Sequence, residues 1–160
     1  MHPTFEATLH VIRTSLNDLL AVIDDMPGEA LDWTPAEGVN SVTVLTRHSL
    51  TAIIFLGGTA AGTSPDRRAY LSGERAAAFS AKDTAAASLR AEVAATLATT
   101  AANFEHGSDG ALAAPASWAW PDGRTPTGAE LLVHSAGHLK EHVGQASLLR
   151  DLWSATGRTS

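Results

Sequence analysis

The chain is expected to fold as an all-α four-helix bundle. Three observations point there: apolar residues recur at helical spacing in four stretches, alanine is abundant, and Val, Ile, Tyr and Phe are not gathered into alternating runs. The 160 residues suit one domain covering 1–160, because independent cores usually run to roughly 100–200 residues. Hydrophobic residues make up 44% and charged ones 18%. That is enough apolar material for a core, and it argues against disorder.

The first helix is expected over residues 4–26, where Leu9, Ile12, Leu16, Leu19 and Ile23 form one apolar stripe before Pro27-Gly28 stops it. Leu31–Pro35 reads as an irregular connection, and Asn40 or Ser41 can cap the next helix. The second helix, 41–57, repeats the stripe through Leu45, His48, Ala52 and Phe55, so a histidine occupies its middle. Gly57 to Phe79 reads as a long connection rich in Gly, Ser, Pro and charge, longer than a simple turn needs. Ser80-Ala81-Lys82-Asp83 resembles a capping motif with Asp in place of Glu. A third helix should extend from there to about Glu105, with Leu89, Val93, Leu97 and Phe104 inward and Gly107 near its end. A second loop, 106–126, carries Trp118 and Trp120. The last helix opens on the capping box Thr127-Gly128-Ala129-Glu130 and runs to about Trp153. The long connection between the second and third helices suggests an up-up-down-down order.

Charge and composition narrow the function. Eleven Lys+Arg against 17 Asp+Glu give a net charge of −6, so no nucleic-acid partner is expected. The sequence has no cysteine, which excludes disulfides, Fe–S clusters, thiolate zinc sites and cysteine nucleophiles. The most apolar run, Ala52–Leu56, is ended by Gly57-Gly58 and falls far short of the ~20 residues that span a bilayer. The first residues lack the basic and apolar regions of a signal peptide. A cytoplasmic protein without a membrane partner is the expectation.

The seven histidines carry the strongest chemical signal. His134, His138 and His142 stand four residues apart on the last helix, so neighbours sit only ~40° apart around its axis and one turn apart along it. Two such imidazoles can reach one metal ion, and His48 could supply a third nitrogen across the core. Three neutral ligands would leave the full 2+ charge and an open coordination position. Desolvated imidazoles left unpaired in a core would be costly, and a metal removes that cost. Against this, a lone inward histidine such as His48 is more often a hydrogen-bonded core residue, and i,i+4 pairs also arise on solvated surfaces. Spacing does not choose among His134, His138 and His142. His2 and His106 read as solvated, and His10 lies beside its helix's stripe.

Two other metal patterns fit less well. His138-Leu139-Lys140-Glu141-His142 matches the inverted zinc-protease motif, in which Glu141 would activate water. Those enzymes take a carboxylate as third ligand, whereas this chain offers His48. Di-iron bundles need Glu-x-x-His on two helices, and the sequence contains none.

Two blocks resemble the DinB-like family of four-helix metalloproteins. One is Leu31-Asp32-Trp33-Thr34-Pro35 through Gly38, Asn40-Ser41-Val42 and on to His48; the other is His138-Leu139-Lys140-Glu141-His142-Val143-Gly144-Gln145. The resemblance implies a metal, zinc or nickel, bound by His48, His138 and His142, with His134 as a neighbour. It also implies a homodimer and relatives that use mycothiol or bacillithiol, S-transferases and a thiol-dependent isomerase among them. Glu141 departs from the aromatic or histidine often found before the second ligand, which bears on the substrate.

A divalent ion with neutral ligands lowers the pKa of bound water or thiol by several units. The first functional expectation is therefore a metal-dependent transferase that joins a small thiol to a small-molecule substrate. A hydrolase with Glu141 as base is the second, and a noncatalytic, stress-associated metal-binding dimer the third. Trp118 and Trp120 are candidates to roof a pocket or to anchor their loop, Arg67, Arg68 and Arg124 to meet an anion or to be ordinary surface charges, and Gln145 to bond a ligand's ring or to cap internal polarity. Arg47 is expected at the bundle's edge.

Overall fold

The computed structural model describes residues 1–63 and 66–157. Four long helices form the bundle: α1 (Pro3–Asp25), α2 (Val42–Ala60), α5 (Ala86–Phe104) and α7 (Gly128–Ala155). Two short ones, α3 (Arg67–Ser72) and α4 (Glu74–Phe79), occupy the connection from α2 to α5, and α6 (Asp109–Ala113) precedes α7. Among the described residues the one extended pairing is an isolated bridge between Pro115 and Thr127.

Local signals set most helix starts. Ser41 caps α2 by accepting from the Val44 amide, and Thr127 and Glu130 complete the expected capping box of α7. His2 caps α1, its Nδ1 accepting from Thr4, while Nε2 lies 3.0 Å from Asp109. The expectation that His2 is merely solvated is corrected by these two contacts.

The third bundle helix departs from expectation. It begins at Ala86, without a side-chain cap. Ser80 instead ends α4, and Asp83 takes φ 53°. A tertiary bond accounts for the difference, because the Asp32 carboxylate accepts from the Asp83 amide at 2.5 Å and ties this turn to the 26–41 connection. The second helix also runs three residues beyond its expected end. Gly57 does not stop it, for a Cβ there would come 3.0 Å from the Phe104 ring. This glycine is a place of close helix approach.

The long connection expected from Gly57 to Phe79 contains α3 and α4. Tyr70 of α3 stacks on Phe55 of α2, with centroids 4.2 Å apart and planes 2° from parallel, and Ala78 of α4 is buried. Burial against α2 stabilises helices too short to persist alone. Ser64 and Pro65 lie outside the described residues.

Ion pairs and ring contacts fix the helix directions. Arg90 at the start of α5 pairs with Asp24 at the end of α1, and Phe104 at the end of α5 meets Phe5 at the start of α1. These two helices are antiparallel. Arg150 near the end of α7 reaches Asp25 at the end of α1, so α7 runs with α1. Gly128 opens α7 where a Cβ would lie 3.0 Å from Ala60 O at the end of α2, so α7 runs against α2. The order is up-down-down-up, not up-up-down-down. A long crossover between the second and third helices returns the chain to the end where α2 began, which makes those two parallel.

Both α1 and α2 pack on α5 and α7, so α1 and α2 stand at opposite corners. The core between them holds Phe5, Ile12, Leu16, Ile53, Leu89 and Leu131, all fully buried. With α4 covering its remaining side, α2 is buried almost all round. No described helix is long and apolar enough to cross a membrane.

Candidate metal centre

The antiparallel seam of α2 and α7 brings three imidazoles together. His48 comes from the buried stretch of α2, His138 and His142 from successive turns of α7. His138 Nε2 lies 3.1 Å from His48 Nε2 and 3.1 Å from His142 Nε2. The rings meet nearly edge to face, His138 with His48 at 75° and with His142 at 84°. His48 is only 7% exposed.

Hydrogen bonding sets one tautomer. His142 Nδ1 donates to Gln145 Oε1 at 2.8 Å, leaving Nε2 a bare lone pair in the neutral ring. Gln145 Nε2 in turn donates to Glu141 Oε1 at 3.4 Å. The sequence expectation that Gln145 could bond a ring thus matches the geometry. His48 Nδ1 and His138 Nδ1 are buried without a partner among the described residues.

Burial pushes the His48 imidazole down to about 4, with His142 and Arg75 adding to the effect. Burial likewise takes His138 down to about 3, followed by the influence of His142, His48, His134 and Arg75. Both rings are therefore neutral at physiological pH, as metal ligation requires.

The donor set fits a divalent cation. His138 Nε2 carries at most one hydrogen and faces two other ring nitrogens, so at least one of its close N···N contacts lacks a proper hydrogen bond. A cation accepting all three lone pairs removes that conflict. Four-coordinate zinc with Zn–N of about 2.0–2.1 Å sets its ligand nitrogens roughly 3.3 Å apart, close to the 3.1 Å found here. Among the described residues these three form the one group of histidines and acids able to hold a metal, their ligand atoms lying within 4.8 Å of one another.

Other candidates take different places. His134 is exposed, its ring 5.8 Å from that of His138 and 5.0 Å from that of Trp120. His10 and His106 are exposed on the surface. Glu141 is also exposed, at the outer end of the bond chain through Gln145 to His142. Arg124 is bound to Glu130, which accounts for it without an anionic ligand. Arg47 makes two hydrogen bonds to Glu92 across the α2–α5 seam, at 2.6 and 3.0 Å. That pair lines a groove of about 380 Å³ on another face of α2, away from the imidazoles.

A pocket of about 240 Å³ adjoins His48 and His138. Trp118 and Trp120 wall it, edge to face at 5.0 Å, as their spacing suggested. The crossover supplies Arg67, Tyr70 and Arg75. Phe79, also from the crossover, lies 4.6 Å from the His48 ring, centroid to centroid. Tyr70, Arg75 and Phe79 went unassigned because their segment read as loop. The available signal was Asp66, which caps α3 by accepting from the Arg68 and Ala69 amides.

Comparison with solved structures places this architecture. A DinB-like protein from Bacillus subtilis is similar with a TM-score of 0.69 and 15% identity, over 96% of this chain and 94% of that one. A conserved protein from Enterococcus faecalis has a TM-score of 0.72 and 19% identity, over 95% and 97%. A mycothiol-dependent maleylpyruvate isomerase matches at 0.62 with 17% identity, over 88% of this chain but 59% of the isomerase. No significant match was found among curated proteins. The sequence itself matches the DinB superfamily over residues 12–146. Both signature blocks fall inside that match, and the chain belongs to the DinB superfamily.

Proposed function

We propose that the chain is a metal-dependent enzyme in which His48, His138 and His142 hold zinc, or nickel, and which uses a low-molecular-weight thiol in an S-transferase or isomerase type of reaction on a small molecule. The observation that carries this reading is the convergence of three neutral ring nitrogens beside a pocket. The mycothiol dependence of one structural neighbour supports the choice of a thiol. When bound, a cation with neutral ligands supplies a nucleophile at neutral pH by lowering the pKa of a coordinated thiol.

The protein's own groups do the rest. Gln145 holds the His142 ring with its Nε2 toward the other two imidazoles, the kind of support that fixes ligand orientation. Trp118 and Trp120 keep water from one side of the pocket. Glu141 accepts from Gln145, which suits a positioning role better than proton abstraction from water. With no cysteine in the chain, the reacting sulfur comes from the cosubstrate.

Elemental analysis of untagged protein, prepared without nickel resin and then supplied with zinc, tests the first half. One equivalent per chain is expected, lost on His48→Ala, His138→Ala or His142→Ala. Absence of bound metal in the wild type ends the reading. Mycothiol, bacillithiol and glutathione, each offered with a generic electrophile, test the second half. Turnover without any thiol would replace the transferase reading with the hydrolytic one.

A further inference from the structure

The pocket beside the imidazoles is positively charged in a chain whose net charge is −6. Its lining includes Arg67 and Arg75 and no carboxylate. Each guanidinium lies over an aromatic face, Arg67 at 5.0 Å from the Trp118 ring centroid and Arg75 at 4.8 Å from that of Phe79. Neither makes an ion pair among the described residues, although Arg47, Arg90, Arg124 and Arg150 all do. Of the nearest acids in sequence, Asp66 caps α3, and Glu74 lines the groove bounded by α2 and α5 and is not part of this pocket's wall.

A stacked guanidinium keeps its edge donors free and held in one plane, the arrangement that recognises a carboxylate. Two such groups beside neutral imidazoles repel cations and attract anions, and partial burial strengthens that preference. The remaining wall is apolar or flat, from Ala52, Phe55, Leu56, Tyr70 and the two tryptophans. The volume of about 240 Å³ is below the roughly 300–1,000 Å³ of sites for drug-sized ligands, so the occupant is small.

We infer that Arg67 and Arg75 form a carboxylate clamp on the crossover wall of the pocket, and that the substrate is a small carboxylate with a flat or apolar body. This deepens the metal-enzyme reading and rests on it for the word substrate. The clamp itself is a property of the arginines.

Calorimetric titration of zinc-loaded protein with benzoate and with its neutral isostere benzamide tests the clamp. Wild type is expected to prefer benzoate by about tenfold or more, the scale of a charge-assisted hydrogen bond. Arg75→Gln, an exposed change, and Arg67→Gln should each remove a large part of that preference. The double variant should lose it while keeping its zinc. Coordination of either ligand to the metal is common to wild type and variants, so the difference reports the arginines. An unchanged preference in the double variant overturns the proposal, as does failure of wild type to prefer benzoate. Arginine-dependent affinity for the carboxylate-bearing thiols glutathione and bacillithiol, without a benzoate preference, overturns the assignment to the substrate. If no zinc is taken up, the metal reading fails on that measurement alone, and the same titration on metal-free protein still decides the clamp.

Discussion

The two seams that hold this bundle together are built from different chemistry. Between α1 and α5 the contact is apolar, with Phe5 and Phe104 edge to face at 5.2 Å and Leu89 fully buried, and its ion pair of Arg90 with Asp24 lies at the surface. Between α2 and α7 the interior carries three imidazoles, two of them with a buried Nδ1 that has no partner among the described residues. Apolar burial stabilises without direction, whereas buried polar atoms cost free energy unless each is satisfied. The first seam stabilises without such a cost, whereas the second, which also buries Leu132 and Leu139, carries one, and a cation can offset the part of it that lies at the facing Nε2 atoms. Of the crossover helices, α4 packs on α2 and Tyr70 of α3 stacks on Phe55 of α2, so the polar seam is also bordered by arginines and aromatic rings.

Substitutions in the two seams should therefore separate stability from metal binding. Phe104→Ala removes a fully buried ring from the apolar seam and is expected to cost about 3–5 kcal/mol in urea unfolding. Zinc stoichiometry measured on the folded fraction should not change. A loss of zinc binding with little loss of stability would reverse the roles given to the seams. His138→Ala should do the opposite. Zinc affinity by competition with a chelator should fall by more than about a hundredfold, past the 10–100-fold typical of outer groups. Unfolding of the metal-free variant should differ little from wild type or show a gain, since a buried unsatisfied nitrogen is removed.

Acid sharpens the same contrast. His48 and His138 have an ordinary value of 6.5, lowered in the fold to about 4 and about 3. Below 6.5 the unfolded chain takes up these protons and the folded one does not, so falling pH favours unfolding. Metal-free protein should lose stability progressively from pH 6.5 down to about 3, with no contribution from these rings above pH 7. Urea midpoints at several pH values measure it, and the double variant His48→Ala/His138→Ala should flatten the slope. An equal slope in that variant would place the titration elsewhere. The smallest effect is expected from Gln145→Ala, which frees the His142 ring and should weaken zinc binding about tenfold without altering the unfolding midpoint of metal-free protein.

Much of this molecule was readable residue by residue. The stripe of Leu9, Ile12, Leu16, Leu19 and Ile23 and the caps at Ser41 and Thr127 depend on neighbours within a turn or two, and they reappear in the folded chain. The four-residue spacing of His138 and His142 likewise guaranteed that their rings share a face. The start of α5 is not legible locally because Asp83 answers to Asp32, 51 residues away. By sequence Arg124 is free to meet a ligand, but in the fold Glu130 holds it. The helices of the crossover were missed because six-residue helices have too little periodicity of their own and form by burial against α2.

Helical period, capping and composition are local, so the sequence by itself determined an all-α bundle of four long helices with a histidine on the second and three on the fourth. Which of those histidines meet is a matter of how two helices lie against each other. The antiparallel run of α2 on α7 sets His48 opposite His138 and His142 and leaves His134 one turn outside. The up-down-down-up order and the arginines above the site were likewise decided only in three dimensions, because a long connection specifies neither where it returns nor what it covers until it packs.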